Sequence, residues 1–194
     1  MGYTTNFSGE FTFNRPLSTE ETKYIKKFGR TRRLKRTLAG LLERDKGKNG
    51  LPFKFKLNST QEALVKELET SGLHVSIRPI KDNRTALEIY GPEGQFYVGD
   101  DEYLNVSENS TPPNDQPGLY CQWVTDGLTL HWDGNEKFYY YVEWLKYLIE
   151  NFFIPWEVIL NGEVTWEGEE SSDIGKIVVT DNVVTTKKAR ITYD

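Results

Sequence analysis

The sequence predicts an α+β fold in which an antiparallel sheet built from hairpins packs against a long aromatic helix. Three observations carry this. The stretch Tyr3 to Phe13 alternates strictly, with Tyr3, Thr5, Phe7, Gly9, Phe11 and Phe13 on one face, the period of a half-buried strand. From Asp133 to Trp156, Phe138, Tyr141, Val142, Leu145, Leu148, Ile149 and Phe152 recur at steps of three and four, the helical period. Three turn signals, Asp126-Gly127, Asn161-Gly162 and Asp181-Asn182, each separate two short alternating runs.

The elements follow in order. After Pro16, Ser18 and Glu21 form a capping box, and Tyr24, Ile25 and Phe28 make the inner side of a short helix that Gly29 bends or ends. A second helical run is expected from Thr31 to Arg44, aligning Leu34, Leu38, Leu41 and Leu42. Residues 46–90 then read as an inserted strand-helix-strand-strand unit. Phe53, Phe55 and Leu57 alternate, Ser59 and Glu62 cap a helix, and strands are expected at Leu73 to Arg78 and Ala86 to Tyr90. The main domain is thus drawn as 1–45 with 91–194. Gly91 to Gly118 is a long Gly-, Pro- and acid-rich connection with one short strand at Phe96 to Val98.

From Leu119 the hairpins begin. With Thr125 opposite Leu128, Cys121, Trp123, Leu130 and Trp132 share one face, and Tyr120, Gln122, His131 and Asp133 the other. Asp133 and Glu136 would cap the aromatic helix and Pro155 would close it. Tyr139, Tyr140, Trp144 and Tyr147 spread its aromatic surface beyond one stripe. Hairpins at Glu157 to Glu167 and Lys176 to Lys187 complete the sheet.

Composition excludes several function classes. With 37% hydrophobic and 27% charged residues, the 194-residue chain has the balance of a globular protein. It has no apolar run of membrane-spanning length and no charged-then-apolar leader, so a cytoplasmic setting and no membrane partner are expected. One cysteine and two histidines exclude an internal disulfide and a zinc site of usual spacing. Phosphate loops, nucleophile triads and metal-protease motifs are missing, so neither a cofactor nor catalysis is expected.

The charge is segregated. Lys23 to Lys56 holds thirteen Lys or Arg against Glu43 and Asp45, a local +11 that leaves −16 on the remainder of a chain whose net charge is −5. Lys26, Lys27, Arg30, Arg32, Arg33 and Arg36 are its densest part, and Lys54, Lys56 and Arg78 are expected on an open face of the inserted unit. Phosphate oxygens are the natural partner of such a segment, which points to a nucleotide or nucleic acid. Tyr120, Gln122 and His131 supply a stacking ring, an amide and an imidazole suited to a nucleobase. The alternative is a protein-interaction or homo-oligomerisation module that uses the surplus aromatics of the helix. The acidic run Glu167 to Glu170 with Asp173 lacks calcium-loop spacing and reads as a solvated turn.

Several runs match a family pattern: Gly118-Leu119-Tyr120-Cys121-Gln122-Trp123, Trp132-Asp133-Gly134-Asn135-Glu136-Lys137-Phe138-Tyr139, Leu160 to Glu169, and Ile177-Val178-Val179-Thr180-Asp181-Asn182. The opening Gly2-Tyr3-Thr4-Thr5 and Thr31-Arg32-Arg33 are similar too. On these residues the chain resembles an uncharacterised family of proteins from bacteria and their phages, over about half its length. Lys35 to Tyr90 departs from the pattern, being longer and more basic. The resemblance implies an α+β fold and the cytosol of a bacterium or phage-infected host, and carries no activity or site residues. A phage-encoded chain of this kind would suit sequestration of a host nucleotide signal or blockade of a host nucleic-acid enzyme, countering host defence.

Overall fold

The computed structural model describes residues 2–37, 75–80, 84–89, 93–98 and 106–190, with 75–80 and 84–89 described as strands alone. In chain order the elements are β1 (Thr5–Phe13), α1 (Thr19–Arg30), β2 (Lys35–Arg36), β3 (Val75–Ile80), β4 (Arg84–Ile89), β5 (Val106–Glu108), β6 (Trp123–Thr125) and β7 (Thr129–Trp132). There follow α2 (Tyr141–Leu148), a π-helical turn (Ile149–Phe153), β8 (Leu160–Gly168), β9 (Ile174–Thr180) and β10 (Val183–Lys188). The chain divides into two compact units, Met1–Arg30 with Tyr120–Asp194, and Thr31–Leu119. The insertion drawn at 46–90 falls within the second.

The first unit is α+β: a six-stranded antiparallel sheet in the order β10-β9-β8-β1-β7-β6, with α1 and α2. β1 lies between β8 and β7, and its alternation decides which side is buried. Phe11 and Phe13 are buried while Asn6, Ser8, Glu10 and Thr12 are exposed, as the period-two pattern requires. Phe7 is the aromatic hub, edge-on to Trp132 at 5.4 Å, Tyr141 at 4.8 Å, and Trp123 and Phe138 at 5.8 Å each. Such pairs stabilise by about 0.5–1.5 kcal/mol each beyond the area they bury.

Helix α1 starts where Ser18 and Glu21 predict. The Glu21 amide donates to Ser18 Oγ at 3.1 Å, and the Ser18 amide donates to Glu21 Oε2 at 2.7 Å. Tyr24, Ile25 and Phe28 are buried. The helix ends at Arg30, one residue past Gly29. The missing side chain of Gly29 lets α1 approach the sheet, since a Cβ there would stand 3.2 Å from the Cys121 carbonyl oxygen and 3.3 Å from that of Trp123.

The aromatic helix is shorter than expected. Asp133 does not cap it: its carboxylate accepts from the Asn135 amide at 2.9 Å and from Asn135 Nδ2 at 2.8 Å, a local turn that Asp-Gly-Asn chemistry favours. Lys137 and Tyr140 hold positive φ angles of 63° and 56°, so Phe138 enters the core from a loop and the helix begins at Tyr141. Of its expected inner stripe Leu145, Leu148, Ile149 and Phe152 are buried, whereas Tyr141 and Val142 are half-buried. Trp144 and Tyr147 are buried as well, because α1 covers them: Phe28 lies 6.0 Å from both rings. The π-helical turn precedes Pro155, which has no amide proton to donate to the Asn151 carbonyl and whose ring crowds it. The end is a Schellman motif, in which Val158 N donates to Phe153 O at 2.8 Å and Glu157 N to Ile154 O at 3.0 Å, with Glu157 at φ 56°.

Two of the three predicted hairpins form. β9 and β10 turn at Asp181 and Asn182, both left-handed, as a type I′ turn demands. β6 and β7 pair Thr125 with Leu130, not Leu128, because Asp126 Oδ1 accepts from the amides of Leu128 and Thr129, both at 2.8 Å, and so lengthens the turn. The slip is by two residues, which leaves each paired side chain on its predicted face. The Asn161-Gly162 hairpin is overturned. β8 runs unbroken from Leu160 to Gly168 between β1 and β9, and Gly162 faces Phe11 on one side and Val179 on the other. Glycine is needed there for close approach, as an added Cβ would lie 2.8 Å from the Glu10 carbonyl oxygen.

In the second unit β2 pairs with β5 and β3 with β4, all antiparallel. The β3–β4 hairpin was expected. The helix from Thr31 is not formed over 31–37, where the backbone donors reach distant acceptors: Arg33 N to Leu119 O, Lys35 N to Thr111 O and Arg36 N to Glu93 O, at 2.8–3.2 Å. The strand expected at Phe96 to Val98 is absent, and Val106–Glu108 forms one instead; Tyr97 and Val98 are buried nevertheless. The expected helix over 38–44, strand at Phe53 to Leu57 and helix from Ser59 lie outside the described residues.

Candidate anion-binding site on helix α1

The basic segment is divided by the fold. Lys26, Lys27 and Arg30 belong to α1 in the first unit, and Arg32, Arg33 and Arg36 to the second. On α1 the positions Thr19, Lys23, Lys26 and Arg30 follow one another at steps of four, three and four, so they lie along one face, with Thr22 and Lys27 flanking it. Tyr24 and Phe28 occupy the opposite, buried face. The basic stripe therefore points to solvent and extends about 10 Å from Lys23 to Arg30 at 1.5 Å per residue. Lys23, Lys26 and Arg30 make no ion pair with another described residue. Glu21, an acid in the first turn, is held by Arg15 through two contacts of 2.9 Å.

At its N-terminal half the stripe borders a cleft of about 420 Å³. Thr19, Thr22, Lys23 and Lys26 form one wall; Pro16, Leu17 and the turn Asp126–Leu128 form the rest. Sequence reasoning missed this cleft, because nothing local indicates that the β6–β7 turn lies beside α1. The Asp126 carboxyl is held below its ordinary value by the backbone amides of Thr129 and Leu128, so an anion shares the rim with two amines. At the other end of α1, Gly29 abuts the Cys121 carbonyl, and Tyr120, next in the chain, is half exposed.

The other predicted site residues are dispersed. Arg33 is 2% exposed within the second unit, where Nη1 donates to Tyr97 O at 2.8 Å, Nη2 to Gln95 O at 2.5 Å and Nε to Gln116 Oε1 at 3.1 Å. Arg36 is also buried, its guanidinium 4.1 Å from the centre of the Tyr97 ring. Arg32 is half-buried. Arg78 lies in β3, and Lys54 and Lys56 lie outside the described residues.

Gln122 is buried and bridges the core: Nε2 donates to Glu136 O at 3.0 Å and Oε1 accepts from Trp132 Nε1 at 3.0 Å, which fixes the loop leading to Phe138. His131 sits opposite Val124 in the sheet, with Nδ1 3.5 Å from Thr129 Oγ1. Asp133 is committed to Asn135. The base-reading cluster is thus not assembled as a unit.

Among the described residues no group of three His, Cys, Asp or Glu side chains could hold a metal ion, and no helix is long and apolar enough to cross a membrane. Cys121 is buried, and the Asp173 carboxylate is taken by Tyr3 Oη at 2.7 Å and Trp166 Nε1 at 3.0 Å. Comparison with known proteins yields no match to a family model, a curated protein or a solved structure.

Proposed function

We propose that this chain is a binding protein that captures a phosphate-bearing ligand on the exposed face of α1, in the cytosol of a bacterium or a phage-infected host. One observation carries the reading: Lys23, Lys26 and Arg30 are gathered on a solvent-facing stripe of α1 beside a cleft, with Lys27 and Glu20 at its flank. Amines and guanidinium groups so placed displace condensed counterions and donate charge-assisted hydrogen bonds to phosphate oxygens. Tyr120, at the far end of the helix, offers a ring for a nucleobase. The solvent-facing side of the sheet suits this ligand less, as Glu10, Glu163 and Glu167 lie on it and the Lys176 amine there is paired with Glu163 at 2.7 Å.

The test is binding of labelled nucleotides and short nucleic acids across a salt series. For duplex DNA, log K should fall with log salt at a slope of about 0.9 per phosphate contacted, and the Lys23→Glu, Lys26→Glu, Arg30→Glu triple variant should remove the effect. Binding that ignores both salt and these reversals overturns the proposal.

A second reading has its own observation. Tyr139 and Tyr140 are 50% and 59% exposed at the start of α2, side by side, with Tyr140 in a left-handed conformation. Aromatics of this kind are enriched in protein interfaces. Light scattering of the wild type and of the Tyr139→Ser, Tyr140→Ser variant tests it: a monomer at every concentration removes the homo-oligomer version.

A further inference from the structure

The cleft beside α1 supports a narrower assignment, which rests on the phosphate-binding reading. Its walls are tied together by backbone hydrogen bonds, Leu17 N to Gly127 O at 2.8 Å and Phe13 N to Leu128 O at 3.2 Å, and the Ser18–Glu21 capping box fixes the start of the helical wall. The hollow is therefore preformed, which lowers the ordering cost of binding.

Its chemistry is divided. Lys23 and Lys26 present amines from the helix, and Asp126 presents a carboxylate from the turn. Asp126 Oδ1 is engaged by the Leu128 and Thr129 amides, whereas Oδ2 accepts no hydrogen bond from any described residue. Leu128, also part of the lining, is 58% exposed and offers an apolar surface. A carboxylate there repels a second phosphate and accepts hydroxyl protons. No aromatic side chain lines the cleft, so it has no platform on which a base could stack.

We infer that this cleft takes a small phosphate monoester of a polyol, with the phosphate on Lys23 and Lys26, hydroxyl groups donating to Asp126, and the carbon skeleton against Leu128. A nucleobase or a length of nucleic acid would leave Asp126 facing phosphate and gain no stacking in return.

Isothermal titration of the full chain with ribose 5-phosphate, inorganic phosphate, adenosine monophosphate and a short DNA duplex tests this. Ribose 5-phosphate should bind more tightly than inorganic phosphate and no less tightly than the nucleotide. Each of Lys23→Ala and Lys26→Ala should weaken it by roughly tenfold or more, the effect of one charge-assisted contact. Asp126→Asn, which keeps the Oδ1 acceptor of the turn, should erase the preference over inorganic phosphate and leave inorganic phosphate binding intact. Leu128→Glu changes an exposed side chain and should abolish binding of the sugar phosphate without lowering the melting temperature. Equal binding of ribose 5-phosphate and inorganic phosphate, or indifference to Asp126→Asn, overturns the assignment. So does preference for the nucleotide or the duplex, an outcome that leaves the broader phosphate-binding reading standing. Failure of all four probes overturns both.

Discussion

Replacing Gly162 by alanine distinguishes a strand interior from a hairpin tip, and Gly134 provides the control. Both glycines have positive φ angles, 134° and 83°. Alanine in such a conformation costs about 1–2 kcal/mol, and the narrower unfolded ensemble offsets about 0.4–1 kcal/mol of it. Gly162, with φ far outside the left-handed helical region that Gly134 lies near, is strained at least as much by a side chain, and packing widens the difference. At Gly134 an added Cβ meets nothing within 4 Å. At Gly162 it would stand 2.8 Å from the Glu10 carbonyl oxygen and 3.1 Å from the Phe11 Cα, backbone atoms of a neighbouring strand that cannot rotate away. Overpacking of this kind adds about 1–3 kcal/mol.

Gly162→Ala should therefore lose about 2–4 kcal/mol and Gly134→Ala about 1 kcal/mol or less. Against a total stability of about 5–15 kcal/mol, the first loss is large. Urea denaturation followed by tryptophan fluorescence measures it, because all five tryptophans fall within residues 120–194 and report on the first unit. Equal losses at the two positions would refute the reasoning, since they would mean that no backbone stands opposite Gly162 and that β8 is not the strand between β1 and β9.

Three further outcomes are expected. Glu157→Gly should stabilise the first unit by about 0.5–1 kcal/mol, measured in the same urea assay, because it relieves a left-handed glutamate at the Schellman position. Ser18→Ala should cost about 1 kcal/mol by removing the acceptor for the Glu21 amide, and Ser18→Gly only a few tenths. The Asp173 carboxyl is held below its ordinary value by the hydrogen bonds of Tyr3 and then Trp166. Its contribution is present above the unfolded carboxyl value, about pH 3.9, and is lost as pH falls through the lower folded value, so Asp173→Asn should flatten the acid limb of a stability–pH profile.

What was legible in the sequence was local chemistry in its usual setting. The Ser18–Glu21 box and the Asp181-Asn182 turn bond to their own neighbours, so four residues suffice to read them. The same kind of signal misled where the tertiary structure used the residues differently. Asn161-Gly162 has the chemistry of a hairpin tip, but the close packing of β1 and β9 uses the glycine for its size. Asp133 and Glu136 have the spacing of a capping box, but Asn135 takes the carboxylate first. Gln122 has the look of an outward-facing amide, and the Trp132 indole draws it inward. The cleft was not legible, since Pro16 and Asp126 are brought together only by the pairing of β1 with β7.

The charge segregation resolves into two physically different uses of the same residue types. Arg33 and Arg36 direct their guanidinium groups inward, onto the carbonyls of Gln95 and Tyr97 and onto the Tyr97 ring, where they organise the second unit. Lys23, Lys26 and Arg30 extend outward from α1, opposite the face that covers Trp144 and Tyr147. Removing a buried guanidinium leaves its carbonyl acceptors unsatisfied, which destabilises the fold at any salt concentration. Removing an exposed amine leaves the fold as it was and changes only what the surface attracts. Arg33→Ala should thus lower thermal stability independently of ionic strength, and Lys26→Ala should alter salt-sensitive binding at unchanged melting temperature. The reverse pairing would move the functional surface from α1 to the second unit.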